Sequence, residues 1–206
     1  MNDIKPMDIE KRSFEIITEE LGNRFILPEN ELVVKRAIHA SADFDYADNL
    51  HFSENAVTNA IEALRNGCDI VTDTQMVKSG INKAVLSDLG GEVYCFMSDD
   101  DVAEEAKRRE ITRAIVSMEK AATLNKPCVF AIGNAPTALI RLHELITANM
   151  LKPVLIIGVP VGFVNVVESK EMIINSDIPH IVARGRKGGS SVAAAICNAL
   201  IYQIKR

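Results

Sequence analysis

The chain has 206 residues, 48% of them hydrophobic and 25% charged, with a formal net charge of -5. That balance excludes disordered and collagen-like classes, and the length gives a single domain, 1–206, enough chain to bury a real core. The acidic excess argues against a nucleic-acid binder, which carries a basic face or stripe.

With no Trp and 5% aromatics, the core must be aliphatic. The N-terminus, M-N-D-I-K-P-M-D-I-E, places charges where a secretory signal needs an apolar run. No stretch reaches the ~18 apolar residues of a membrane span. A cytoplasmic protein without membrane partners is expected.

From Met7 to Leu21, Ile9, Phe14, Ile16, Ile17 and Leu21 recur at helical spacing, and Gly22 supplies a stop. Pro28 opens a second amphipathic helix with acids in its first turn. If that helix reaches Asp43, then Leu32, Arg36, His39 and Asp43 share one face. Ser53 is predicted to cap a third helix carrying Val57, Ala60, Ile61 and Leu64, ended by Gly67.

The pattern changes at Cys68. Five short apolar runs follow, C-D-I-V-T, E-V-Y-C-F-M, P-C-V-F-A-I-G, P-V-L-I-I-G and H-I-V-A-R. Helical stretches lie between and after them, at Ile111 to Leu124, Thr137 to Met150, Val164 to Asn175 and Ser190 to Ile204. Strands alternating with helices predict an α/β fold: a mainly parallel, Rossmann-like sheet with helices on both faces and a helical N-terminal segment.

Ligands of such sheets bind outside the carboxyl ends of the strands. There the chain carries T-D-T-Q-M-V-K-S-G, G-N-A-P-T-A-L, G-V-P-V-G-F-V-N and R-G-R-K-G-G-S-S. Glycines let backbone approach a ligand, and helix N-termini offer N–H groups to anions. These loops make Thr72, Thr74, Asn134, Thr137, Gly162, Arg184, Gly188, Gly189 and Ser190 candidate binding residues. Lys187 reads as a solvated turn residue. No G-x-x-x-x-G-K-[ST] or G-x-G-x-x-G occurs, which disfavours nucleotide chemistry.

The cysteines, Cys68, Cys95, Cys128 and Cys197, form no C-x-x-C pair and read as free buried thiols. No metal site is expected. His39 projects with Arg36 and is the ionisable residue of most interest. His143 and His180 read as structural, and His51 is uninformative.

I-H-A-S-A-D-F-D-Y-A (38–47), A-I-G-N-A-P-T-A-L (131–139), G-V-P-V-G-F-V-N-V-V-E-S-K (158–170) and A-R-G-R-K-G-G-S-S-V-A-A-A (183–195) together resemble the precorrin-8X methylmutase (precorrin isomerase) family. E-K-R-S-F-E-I-I and C-D-I-V-T-D-T-Q-M-V-K-S-G fit it too, so the resemblance spans essentially the whole chain. It implies a cofactor-free homodimer that shifts a methyl from ring carbon 11 to carbon 12 of a corrin-type macrocycle. The family's acid–base histidine falls on His39, and its substrate contacts fall on Ser13 and Arg36, with Arg113 placed near the substrate. A-D-F-D-Y after His39 looks like the cobalt-first branch. A non-catalytic tetrapyrrole carrier is the alternative, keeping the cationic rim without needing His39.

Overall fold

The computed structural model describes residues 8–205. The elements run α1 (Ile9–Leu21), α2 (Pro28–Ser41), the single turn α3 (Tyr46–Asn49), β1 (Leu50–Phe52), α4 (Ala56–Arg65), β2 (Asp69–Thr72), α5 (Gln75–Gly80), α6 (Lys83–Asp88) and β3 (Val93–Tyr94). They continue with α7 (Asp100–Arg109), α8 (Arg113–Ala121), β4 (Cys128–Ile132), α9 (Pro136–Thr147), β5 (Leu155–Gly158), α10 (Val166–Ile174), β6 (His180–Ala183) and α11 (Ser190–Ile201).

The six strands lie in the order β1-β6-β5-β4-β2-β3. All pairings are parallel except that of β1 with β6. The expected α/β class and mainly parallel sheet are present. Alternation along the strands builds the core in two layers. Ile70, Val129, Leu155, Ile157 and Ile181 pack on one face with α1, α2, α4 and α11. Val71, Phe130, Ile132, Ile156 and Val182 point to the other, against α8, α9 and α10. Each central strand is buried along its whole length, as strands covered on both faces must be.

Several expected boundaries change. Strand β1 was not expected: L-H-F is too short to show a period, and pairing with β6 alone defines it. The E-V-Y-C-F-M run is a strand only at Val93 and Tyr94, after which Phe96–Ser98 turns as a 3-10 helix. Ser53 does not cap α4, whose N-cap is Asn55; the Ser53 hydroxyl instead accepts the His180 N–H at 2.9 Å. Helix α2 stops at Ser41, with Ala42 left-handed at φ 53°, so Asp43 leaves the His39 face. The expected start of the first helix at Met7 lies outside the described residues.

The strand order sets the location of the site. Strands β3 and β4 flank β2 on opposite sides, so the chain reverses its winding between β2 and β4. Open α/β sheets bind ligands in the crevice that such a reversal opens at the carboxyl ends. Antiparallel β1 begins at that same end, with Leu50 opposite Ala183. The α2–α3 segment that leads into it therefore arrives at the same rim.

Candidate active site

Four loops converge at the carboxyl ends of β2, β4, β5 and β6, and buried polar groups tie them together. Asp73, which follows β2, is fully buried. Its carboxylate accepts the N–H groups of Gly133, Asn134 and Ala135 at 2.8, 2.8 and 2.7 Å. Burial pushes this carboxyl above its ordinary range, against the pull of those three hydrogen bonds. The two loops at the winding reversal are thus one unit.

The loop after β4 passes so close to the start of α11 that a Cβ on Gly133 would lie 2.8 Å from Ser190 Cα. The Thr74 hydroxyl accepts the Val77 N–H at 3.0 Å, capping α5, and meets the Ser190 hydroxyl at 3.0 Å. Behind them, Lys170 of α10 is fully buried and donates to the carbonyls of Gly185 and Lys187, each at 2.8 Å. Gly189 N–H donates to the Val159 carbonyl at 2.8 Å, and Gly162 N–H to that of Arg186 at 3.2 Å. The loops after β5 and β6 are therefore locked to each other.

The N-terminal helices close one wall. His39 is exposed on the last turn of α2, and its ring lies 5.5 Å from that of Phe14 on α1. Arg36, one turn earlier, is only 14% exposed and pairs with Glu10. Its guanidinium lies over Phe14 at 5.1 Å and over Tyr202 at 4.9 Å. Its Nε is buried without a hydrogen-bond partner among the described residues.

His39 and Arg36 face Met76, Ser79, Ser190 and Ala194 across a hollow of about 460 Å³. That joins α2 to α5, some 40 residues further along the chain, and to α11, some 150 residues further along. Phe163 and Val164, each 80% exposed, stand on the rim, and Arg186 lies 5.5 Å over the Phe163 ring.

A larger hollow of about 850 Å³ lies at the opposite, amino end of the strands, lined by His143, Lys152 and Asp177. It lacks the converging glycine loops and locked backbone of the rim. Size alone does not make a site, and the rim hollow is the candidate.

The expected site residues divide into groups. His39, Arg36 and Ser190 line the hollow together. Thr74 and Gly189 abut it through Ser190, while Gly162, Arg184 and Gly188 belong to the locked loops. Ser13, beside Phe14, donates its hydroxyl to the Ile9 carbonyl at 2.9 Å. Asn134 is exposed beside the Asp73 clamp.

Thr137 shares a 3.0 Å hydroxyl contact with Thr112 at the starts of α9 and α8. The exposed Arg113 follows Thr112 and borders a separate depression with Ala103 and Lys107. Thr72 is fully buried, and its hydroxyl lies within hydrogen-bond distance of the carbonyls of Thr74 and Tyr94, at 3.1 and 3.2 Å.

Lys187 is exposed, in keeping with its reading as a solvated turn residue, and it also pairs with Asp43 and Asp45, both at 2.6 Å. That pairing raises its ammonium well above the ordinary lysine range and lowers the Asp43 carboxyl. Asp73, Lys170, Phe14, Glu10 and Met76 were missed. Only Asp73 and Lys170 had a signal, as charged residues next to apolar positions, Asp73 just after β2 and Lys170 in the middle of α10.

All four cysteines are free and buried. Among the described residues no cluster of His, Cys, Asp or Glu could hold a metal ion, and no helix is long and apolar enough to cross a membrane. His180 is buried and bonded, in keeping with its structural reading.

The family profile described as precorrin-8X methylmutase matches residues 8–203. The chain is 48% identical to the cobalt-precorrin-8 methylmutase of Leptospira interrogans, over 94% of this chain and 92% of that one. It is 39% identical to the precorrin-8X methylmutase of Pseudomonas aeruginosa, over 93% of each. The crystal structure of precorrin-8X methylmutase from Thermus thermophilus matches with a TM-score of 0.86 at 36% identity, covering 95% of this chain and 96% of that one. The converging rim loops, the His39 hollow and this likeness along the whole length lead to one conclusion: the chain belongs to the precorrin-8X methylmutase family, isomerases of cobalamin biosynthesis.

Proposed function

We propose that the chain moves a methyl group from ring carbon 11 to ring carbon 12 of cobalt-precorrin-8, giving cobyrinate, with His39 as the acid–base group. The observation that carries this reading is the hollow that brings His39 and Arg36 against the α5 and α11 wall. The cobalt-bearing substrate is favoured because relatives at 48% and 44% identity carry that name, against 39% for one named for precorrin-8X.

A 1,5-sigmatropic methyl shift breaks one carbon–carbon bond as another forms and needs no external nucleophile. What assists it is withdrawal of electron density as the conjugation rearranges, and an imidazole serves that purpose near neutral pH. In a metal-free ring His39 would protonate or hydrogen-bond a ring nitrogen. Where cobalt occupies the nitrogens, it would hydrogen-bond the periphery. Met76, Ala194 and the rim residues Phe163 and Val164 supply apolar contact, and Arg36 and Arg184 supply cations for the carboxylates of the ring edge.

A homodimer accompanies this reading. The hollow sits in the lower half of the ~300–1,000 Å³ range of small-molecule sites, so a macrocycle would fill it and project beyond. Phe163 and Val164 stand exposed in the loop after β5, apolar surface that a second copy would cover. A soluble, cytoplasmic location fits a biosynthetic enzyme of this kind.

The direct test is to incubate catalytic amounts of protein with cobalt-precorrin-8 and, separately, precorrin-8X, and to follow the absorption spectrum. Multiple turnovers of the cobalt substrate are expected. Stoichiometric binding without conversion would leave a carrier instead. Sedimentation should give a dimer, and a fully active monomer would refute the shared site.

A further inference from the structure

Lys170 is an unusual group to bury. It is fully buried on α10, yet no carboxylate among the described residues pairs with it. Its hydrogen-bond partners are two carbonyls of the β6–α11 loop, those of Gly185 and Lys187. An ammonium removed from water without a counter-charge is strongly disfavoured.

The clamp has a consequence for the other side of the loop. The described chain contains no cis peptide, and in a trans unit the N–H points opposite to the C=O. With the Gly185 and Lys187 carbonyls aimed inward, the N–H groups of Arg186 and Gly188 aim outward, away from Lys170. Neither donates a hydrogen bond to a described residue. The loop cannot readily turn over, because a Cβ on Gly188 would lie 2.1 Å from the Val159 carbonyl and the Gly189 N–H is fixed to that same carbonyl.

We infer that the β6–α11 loop is a seat for one carboxylate of the ring edge, with the N–H groups of Arg186 and Gly188 as its donors and Lys170 as its positioning residue and buried counter-charge. The inference rests on the reading that a polycarboxylate macrocycle occupies the rim. The protein's nearby charges do not complete the pair. Arg184, Arg186 and Lys187 on the loop are cations, and His51 stands near Arg184. Glu171 faces Arg184 at 3.5 Å, while Asp43 and Asp45 are engaged by Lys187. The anion that completes Lys170 arrives with the ligand.

This makes binding proton-linked. Burial pulls the Lys170 ammonium down to about 8. A carboxylate seated on the far side of the loop from its ammonium still favours the charged form, so the ligand should draw a proton onto Lys170 at mildly alkaline pH. The neutral amine still carries two N–H donors, so the loop stays clamped and only the charge is lost.

The test is calorimetric titration of the full chain with cobyrinate near pH 8, in two buffers of different ionisation enthalpy. Uptake of a substantial fraction of a proton per ring is expected, fading toward about pH 6.5. Affinity should weaken roughly tenfold between about pH 7 and 9.5, the effect of a one-unit rise in the lysine pKa on binding, with circular dichroism unchanged. Lys170→Met should abolish both the uptake and the pH dependence. Retention of either in that variant overturns the assignment. If the variant does not fold, the native profile decides: binding without uptake from about pH 7 to 9.5 refutes the counter-charge. Failure of the ring to bind at any pH would instead overturn the methylmutase reading.

Discussion

The rings of His39 and Phe14 lie 5.5 Å apart and inclined by 31°, so a residue of α1 fixes one side of the imidazole that α2 presents to the rim. His39 is otherwise exposed on the last helical turn and fills no core volume. His39→Ala should therefore abolish turnover of cobalt-precorrin-8. Stability should change by no more than about 0.5 kcal/mol, as at surface positions generally, and product affinity should largely persist. Spectroscopic turnover and urea denaturation check the two halves. Near-native turnover would remove His39 from the chemistry.

Arg36 is held between the rings of Phe14 and Tyr202 and pairs with Glu10. A carboxylate of the ring must share or replace that pairing. Arg36→Ala should weaken binding of the acid product by roughly 1.5–3 kcal/mol, the range for a hydrogen bond to a charged group. The effect should be smaller on the fully esterified ring, and affinity for the acid should fall as salt rises. Titration of both forms decides the matter. An unchanged preference between acid and ester would mean that Arg36 reads no carboxylate.

Asp73 accepts three backbone N–H groups while fully buried. In Asp73→Asn the amide oxygen keeps some of these bonds, but the new NH₂ faces donors, and a buried donor is left unmatched. We expect a loss of about 2–4 kcal/mol of stability, measured by urea unfolding, together with a raised KM, because the G-N-A-P loop loses its anchor. A variant as stable as the native chain would show that water or a shifted loop replaces the carboxylate.

The His51–His180 pair should make folding sensitive to acid. Nδ1 of His180 lies 2.7 Å from the Ile178 carbonyl, which can only accept, so that nitrogen carries the hydrogen. Nε2 of His180 then accepts from Nδ1 of His51 at 2.9 Å. Protonating His180 breaks this chain.

Burial pulls both imidazoles below their ordinary range, with Arg184 adding to the effect at His51 and His51 at His180. The unfolded chain thus binds more protons than the folded one. Stability is complete above the unfolded value of about 6.5 and declines as pH falls below it. Urea midpoints between about pH 7.5 and 5 should show that decline, and His180→Leu should flatten it. An identical slope in the variant would place the acid sensitivity elsewhere.

Much of this molecule is written in local sequence. The apolar runs at Cys68, Cys128, Pro153 and His180 have the length and β-branched content of buried parallel strands, and Pro28 and Gly22 mark helix ends through their own backbone limits. His39 and Arg36 could be paired because they lie three residues apart on one helix.

Tertiary structure alone decided the rest. Strand β1 exists because Leu50–Phe52 finds the open edge of β6, which no local period encodes. The partners of Thr72, the Thr74 and Tyr94 carbonyls, and the ties of Lys187 to Asp43 and Asp45 exist only because distant loops meet. Asp73 and Lys170 are residues that composition would place in water. Both are buried because backbone N–H and C=O groups left over at the ends of parallel strands need partners, and which loops bring those groups within reach is set by the order of strands in the sheet.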